Sequence, residues 1–283
     1  MSVKLKKYSL LFSGLIVLIS LFLVFLFYQQ KNKNLKVVFL DVGQGDSILI
    51  KNNNTEILID GGPDTNVINK VSQYLPFYDR EIELIVLTHP HADHLVGLVE
   101  VLKRYKVDKI LLTKVKNGDS GYSEFLNLIE EKKVPYDIAK EKIDYNLGEN
   151  FDLDILYPFE SIEGKEYEDL NETSIVAKLS FDNVSFLFTG DANQEVEKKL
   201  LSSDLKSNVL KVGHHGSKYS SSLDFLKAVN PKYAIIQSGK ENKFGHPHLI
   251  TLRHLENLRV EILRNDEKGD IVCERRGENL ACE

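Results

Sequence analysis

The chain has 283 residues, 42% of them hydrophobic and 28% charged, with a net charge of −6. That length suits one large domain or two small ones, and the composition excludes disorder as the default state. Residues 1–33 hold five Lys and no acid, so the remainder carries 31 basic and 42 acidic residues, net −11, which excludes a grip on nucleic acid by bulk electrostatics.

In chain order, residues 1–7 read as a short cytoplasmic amino terminus. Tyr8 to Tyr28 is a run of 21 residues without a charge, dominated by Leu, Ile, Val and Phe. At about 1.5 Å per residue it is long enough to span a bilayer, and its bracketing tyrosines suit the two interfaces. A cleaved signal peptide is the competing reading, but Tyr28-Gln29-Gln30-Lys31-Asn32 is not an Ala-x-Ala-like cleavage site. Lys4, Lys6, Lys7 and the free amine outweigh Lys31 and Lys33, so the positive-inside rule favours a single-pass membrane protein with an extracellular globular part. Residues 29–34 form a polar linker, and residues 35–283 read as one domain of alternating strands and helices.

Within that domain the apolar runs predict strands at Leu35–Leu40, Ser47–Ile50 and Ile57–Ile59, then a helix over Val67–Leu75 capped by Asp64 or Thr65. Ile82–Leu87 predicts a buried strand, and the spacing of apolar residues 95, 98, 99, 102 and 105 predicts a helix over Leu95–Tyr105. Further units are a strand at Lys109–Leu112, a helix at Ser123–Lys133, and strands at Pro135–Ile138 and Phe151–Leu156. The acidic stretch 160–169 reads as a surface loop. Ser174–Lys178, a turn, Val184–Phe188 and Thr189-Gly190-Asp191 then repeat the pattern of Ser47–Lys51, a turn, Ile57–Ile59 and Asp60-Gly61. Two hairpins, each ending in Asp beside Gly, predict a duplicated two-sheet architecture. The remaining units are helices at Glu195–Leu201, Ser221–Val229 and Leu249–Leu258, and strands at Val209–Val212, Tyr233–Gln237, Val260–Leu263 and Ile271–Cys273. Cys273 and Cys282 either pair, as an exported domain permits, or remain free thiols.

The chemistry concentrates on loops that follow apolar strands. Thr88-His89-Pro90-His91-Ala92-Asp93-His94 packs four metal-ligand side chains into six positions. Imidazole and carboxylate donors suit zinc, manganese or iron, and the lack of thiolate argues against a structural zinc site. His89 and His91 alternate along extended backbone and can face one ion. Asp93 and His94 sit at a helix start and can face a second. Asp191 can bridge the two ions, which together would lower the pKa of a water and clamp a phosphoryl or carbonyl oxygen. His214, His215, His246 and His248 lie on later loops, whereas His254 falls inside a predicted helix and reads as a surface residue.

The motif His89-x-His91-x-Asp93-His94 resembles the signature of the metallo-β-lactamase-fold hydrolases, which implies an αββα sandwich of two similar halves. Phe39-Leu40-Asp41-Val42-Gly43-Gln44-Gly45-Asp46-Ser47, Asn171-Glu172-Thr173-Ser174, Phe188-Thr189-Gly190-Asp191, Val212-Gly213-His214-His215-Gly216-Ser217 and Gly245-His246-Pro247 resemble, in that order, the hydrolase domain of the ComEC/Rec2 competence proteins. The resemblance implies a metal set of His89, His91, Asp93, His94, Asp191 and His214, holding two divalent ions, zinc first and manganese second. It implies catalytic roles for Asp93, His215 and His246. One of His214 and His215 is a ligand and the other a proton donor or phosphate contact, with His214 preferred as ligand; His246 is a ligand or the proton donor. Asp60 either orients a ligand from behind or caps backbone amides. Asp41 and Asp46 border the pocket or serve the turn, and Ser217, Lys218 and Lys243 can hold phosphate locally. Family members place a ligand His about twenty residues before the bridging Asp; here that neighbourhood offers Asn171, which implies that one ion is held weakly or only with substrate.

The expected activity is hydrolysis of a phosphodiester, DNA first. Competence or cell-wall machinery is the expected partner, and one anchor does not make a DNA channel. A smaller or wall-linked phosphodiester, a lactone or a β-lactam is the alternative substrate, and a non-catalytic wall-associated binding protein is the rival from another class.

Overall fold

The structure is a computed structural model that describes residues 12–25, 35–53, 55–277 and 279–283. Its first element is a helix, α1 (12–25), whose residues are all exposed, among them Phe12, Leu15, Ile19, Phe22 and Phe25. Among the described residues no helix is long and apolar enough to cross a membrane. The expected span 8–28 runs past both ends of α1, and residues 1–7 and 29–34 lie outside the described residues.

Apolar residues at alternate positions, which point to opposite faces of a strand, build the rest. β1 (Lys36–Phe39), β2 (Ile48–Asn52) and β3 (Thr55–Ile59) form an antiparallel meander. After α2 (Asn66–Tyr74) and the short β4 (Glu81–Ile82), β5 (Leu84–Leu87) joins parallel to β3. α3 (Ala92–Arg104), β6 (Lys106–Val107), β7 (Ile110–Leu112), α4 (Ser120–Lys132) and β8 (Tyr136–Ile138) follow, with β7 and β8 parallel.

The second sheet repeats this plan. β9 (Asp144–Gly148), β10 (Phe151–Tyr157), β11 (Val176–Phe181) and β12 (Val184–Phe188) are antiparallel. After α5 (Gln194–Leu200), β13 (Val209–Lys211), α6 (Leu223–Val229), β14 (Tyr233–Ile236), α7 (Leu249–Asn257) and β15 (Glu261–Arg264) add three parallel strands. A short helix α8 (Asn265–Lys268) leads to β16 (Ile271–Arg276) and β17 (Asn279–Cys282), which return to pair beside β1 in the first sheet. Strand orders are β17-β16-β1-β2-β3-β5-β7-β8 and β15-β14-β13-β12-β11-β10-β9.

Three apolar layers hold this together. Val37, Phe39, Ile57, Ile59 and Val86 of the first sheet meet Leu153, Leu179, Phe186, Phe188 and Ile235 of the second between the sheets. The other face of the first sheet, through Leu49, Leu58, Ile85 and Leu87, packs on Val67, Val71, Leu95, Leu98 and Phe125 of α2, α3 and α4. Leu187, Leu210, Ala234 and Ile236 likewise pack on Val196, Leu200, Phe225 and Leu255 of α5, α6 and α7. The parallel strands are therefore covered on both faces, which is why they read as continuous apolar runs. The result is the expected αββα sandwich of two similar halves.

Several boundaries differ from expectation, each for a local reason. The run 82–87 divides because β4 pairs with β6 in a separate two-stranded sheet while β5 pairs with β3. α4 starts at Ser120 because Asp119 accepts the N–H groups of Gly121 and Tyr122 and so caps it. Asp64 accepts the Asn66 N–H ahead of α2. β9 and β17 are additional strands. Cys273 faces Cys282 across the β16–β17 pair, and the two are joined in a disulfide.

Candidate metal centre

The carboxyl ends of β3, β5, β12 and β13 converge at one end of the sandwich, where open α/β folds assemble their chemistry. β5 runs directly into His89 and His91. His91 is the extended residue that precedes α3, so Asp93 and His94 fall in the first helical turn, three residues earlier than periodicity alone predicts. From the other half, β12 leads through Thr189 and Gly190 to Asp191. β13 leads into a turn in which His214 and His215 both have left-handed backbone, φ +49° and +53°. Such conformations are costly for non-glycine residues and persist where surrounding structure imposes them. Gly216 continues the turn at φ +84°.

Two groups of ligand atoms share one carboxylate, and a third, Asp46, Asp60 and His94, adjoins the second through His94. His89, His91 and Asp191 form the first; Asp93, His94, Asp191 and His215 form the second. In the first, His89 Nε2 lies 2.9 Å from His91 Nδ1 and 3.9 Å from Asp191 Oδ2. In the second, His94 Nε2 is 3.3 Å from Asp191 Oδ2, and His215 Nε2 is 3.3 Å from Asp93 Oδ2 and 3.4 Å from Asp191 Oδ2. Donors bound tetrahedrally at roughly 2.0–2.2 Å stand about 3.3–3.6 Å apart, so the second group has the spacing a divalent ion requires. His94 Nε2, His215 Nε2 and Asp191 Oδ1 are buried without a hydrogen-bond partner. Buried polar atoms ordinarily find partners, and two orphaned ring nitrogens pointing at the Asp191 carboxylate fit a cation. The His/Asp cluster is consistent with a binuclear metal site.

Three of the rings are oriented from behind. His94 donates Nδ1–H to Asp60 Oδ2 at 2.7 Å, leaving Nε2 for the cluster. Thr88 donates its N–H and its hydroxyl to the two oxygens of Asp60, at 2.8 and 2.7 Å. The same hydroxyl lies 3.1 Å from His89 Nδ1 and can accept its proton, so Asp60 sets a ring in both groups. His215 donates Nδ1–H to the Gln237 carbonyl at 2.8 Å, with Asp46 Oδ1 at 3.2 Å beside it. Gln237 also donates its amide to the carbonyls of Leu40 and Ser47, tying the halves together.

Charge follows this geometry. Burial opposes ionisation of Asp191, but His215 and His94 outweigh it and hold its carboxyl well below the usual carboxylate range. Burial likewise opposes the positive form of His94 and of His215. Asp191 with Asp60, and Asp191 with Asp46, outweigh it and raise both rings well above the ordinary imidazole value. Burial and the neighbouring His94 push His89 the other way, well below that value. Burial and the nearby rings of His215, His214 and His248 lower His246 to about 4.

Of the residues expected from sequence, His89, His91, Asp93, His94 and Asp191 come together, and His215 joins them. His214 stands at the edge, its Nε2 3.8 Å from Asp191 Oδ2 and its Nδ1 buried without a partner. His246 lies one layer further out, its ring centre 5.4 Å from that of His214 and 6.0 Å from that of His215. Asn171 Oδ1 is also buried without a partner. Asp41 accepts the Gly43 N–H, as a turn residue does. Lys218 and Lys243 stand over the rings of Tyr219 and Phe244 at 5.1 and 5.4 Å. Sequence reasoning missed Thr88, Gln237 and Lys211. Only Lys211 carried a signal, as a lone charge in the apolar run Val209-Leu210-Lys211-Val212.

The chain matches the Metallo-beta-lactamase superfamily over residues 40–240. It is 28% identical to ComE operon protein 3 of Bacillus subtilis, over 93% of this chain and 36% of that protein. It is also 28% identical to Recombination protein 2 of Haemophilus influenzae, over 90% of this chain and 31% of that protein. The chain thus spans about a third of the length of the curated relatives it matches. Among solved structures, the metallo-beta-lactamase fold protein YhfI of Bacillus subtilis superimposes with a TM-score of 0.58 at 13% identity, covering 85% of this chain and 100% of that one, a likeness of fold.

Proposed function

Because the chain belongs to the metallo-β-lactamase superfamily and is a metal-dependent hydrolase of that kind, we propose that it hydrolyses phosphodiesters, with DNA or another nucleic acid as first candidate. The observation that carries this reading is the sharing of Asp191 between two ligand groups. Two divalent ions held there would supply a water of lowered pKa and stabilise charge developing on a phosphoryl oxygen. Zinc is the first candidate for an all-imidazole and carboxylate donor set, and manganese the second.

His89 and His91 would hold one ion and Asp93, His94 and His215 the other, with Asp191 contributing to each group. Asp60 and Thr88 fix the rings from behind, so little reorganisation is needed when substrate arrives. His214 and His246 face the substrate side. With its pKa lowered to about 4, His246 is neutral at pH 7. An arriving phosphodiester anion favours its protonated form, which suits it to donate a proton to the leaving oxygen. Lys218 and Lys243, on the loops that carry His215 and His246, give an acidic protein a local cationic and aromatic surface for that anion. The likeness to Recombination protein 2 supports a nucleic-acid substrate, and the resemblance of the chain's motifs to the ComEC/Rec2 competence proteins supports competence machinery as partner. The net charge of −6 favours the second reading, a smaller or wall-linked phosphodiester.

The proposal places the domain outside the cell on a single-pass anchor. Two observations support this. The apolar residues of α1 are all exposed, and the Cys273–Cys282 disulfide suits an oxidising compartment. Protease treatment of intact cells should release the domain; full protection would overturn this placement. For the activity, bound metal is measured by elemental analysis, and turnover is assayed on bis-p-nitrophenyl phosphate, single-stranded DNA and a β-lactam. A metal-free, inert protein would overturn the enzyme reading, and activity on the β-lactam alone would overturn the phosphodiesterase.

A further inference from the structure

We propose that Lys211 is a positioning residue that acts through Asp46 on the second ligand group alone; the inference rests on the two-ion reading above. Lys211 ends β13, four residues before His215, and its side chain is fully buried. A buried ammonium is costly unless it is paired. Lys211 Nζ lies 2.6 Å from Asp46 Oδ2 and donates to the Val212 carbonyl at 2.9 Å. Asp46 is equally buried, and its other oxygen, Oδ1, lies 3.2 Å from His215 Nδ1.

The main chain of the same residue reaches a different ligand. Asp46 donates its N–H to the Asp93 carbonyl at 3.2 Å, and its carbonyl accepts the Gly62 N–H at 2.8 Å. The preceding residue, Gly45, approaches so closely that a Cβ there would stand 2.2 Å from the Asp93 carbonyl oxygen. One residue of the first half therefore touches His215 through its side chain and Asp93 through its backbone, and both belong to the second group. The rings of the first group are held elsewhere: His89 contacts Thr88, which is bonded to Asp60, and His91 contacts His89.

Lys211 matters because Asp46 has two oxygens and His215 a single Nδ1–H, which the Gln237 carbonyl already takes, leaving Asp46 Oδ1 without a hydrogen-bond partner. With Oδ2 held by Lys211, the carboxylate lies beside the ring at 3.2 Å while the Gln237 carbonyl takes the proton at 2.8 Å. The ring is thereby kept with Nε2 towards Asp93 and Asp191. Without the ammonium, the buried carboxylate turns to its nearest remaining donor, His215, and pulls the ring and the 43–46 loop together out of line.

The test is a metal titration of the metal-free full-length protein, with zinc for affinity and cobalt(II) for its ligand-field spectrum. The variants are Lys211→Met, Asp46→Asn and the double variant Lys211→Met/Asp46→Asn. Thermal melting of each metal-free protein measures stability separately. The expected result is that wild type takes two ions, while each variant keeps the first affinity and binds the second ion about 10–100-fold more weakly, the range for groups that orient a ligand. The cobalt spectrum of the second site should change with it. If Lys211→Met does not fold, the double variant, which removes both charges of the Lys211–Asp46 pair, carries the comparison. Folded variants that take both ions with wild-type affinity, however low their melting temperatures, or that lose both ions equally, would overturn the inference. A wild-type protein that binds no metal would instead overturn the two-ion reading and this inference with it.

Discussion

In the first half of the sandwich the β2–β3 hairpin ends on Asp60; in the second the β11–β12 hairpin ends on Asp191. Both carboxylates are buried, both adjoin glycine, and both precede three parallel strands. Yet Asp60 spends its oxygens on Thr88 and on His94 Nδ1, behind the rings. Asp191 has an oxygen left unpartnered and stands among His94, His215 and His214 in front of them. The same backbone device therefore serves as a brace in one half and as a donor in the other. What decides is the loop across from it. In the first half the loop after β5 wraps Asp60 with hydroxyl, amide and ring N–H donors. In the second the loop after β13 leaves Asp191 open.

This contrast makes unequal predictions for equivalent residues. Asp191→Ala should abolish turnover and bound metal together while leaving the circular dichroism spectrum intact; retained activity would remove Asp191 from the centre. Asp60→Asn should cost only about 10–100-fold in activity or metal affinity, the usual range for a group behind a ligand. Equal losses in the two variants would end the division into brace and donor.

The paired histidines sharpen it further. His215→Ala should lower the bound metal from two ions to one by elemental analysis, whereas His214→Ala should keep both and lose rate. The reverse outcome would exchange their roles.

The next effect is on folding. Gly97 of α3 lies so close to the Asp60 loop that a Cβ would stand 1.9 Å from the Gly61 carbonyl oxygen, and its N–H donates to the Gly62 carbonyl. Gly97→Ala should destabilise by about 1–3 kcal/mol in urea unfolding, as overpacking does. It should also disturb Asp60 more than Asp191.

The smallest effect is expected outside the two ligand groups. Glu197 of α5 is buried, which raises its pKa despite accepting N–H bonds from Ser221 and Ser222. A carboxyl raised in the folded state contributes stability that is fully present below its unfolded pKa, near 4.5, and is lost as pH rises through the folded value. Glu197→Gln should flatten that slope in denaturant midpoints measured between pH 4 and 7; an unchanged slope would assign it to other groups.

Much of the fold was legible in local pattern. The apolar runs of β3, β5, β12 and β14, and the periodic residues of α3, declare themselves because burial on both faces leaves little room for polar residues. β9 did not. It carries Asp144, Asn146 and Gly148, is half exposed, and pairs on one side only, with β10. Its strand conformation comes from its partner rather than from its own residues. The choice between His214 and His215 was equally hidden. Two adjacent left-handed residues send their rings 76° apart, and sequence proximity says nothing about which ring enters the cluster.

By itself the sequence determined the donor chemistry. The spacing His89-x-His91-x-Asp93-His94, with strand before and helix after, places four metal-donor side chains on one loop and the first helical turn that follows, by local geometry alone. The repeated hairpin determined that a second carboxylate would come from an equivalent place. Only the tertiary structure decided which carboxylate braces and which faces the rings, which groups Thr88, Gln237 and Lys211 bond, and that Cys273 and Cys282 are joined. Buried polar groups must find partners, and here the decisive ones lie far apart in sequence, Asp46 with Lys211 and Leu40 with Gln237. No local periodicity carries that information; it arises when the two halves close on each other.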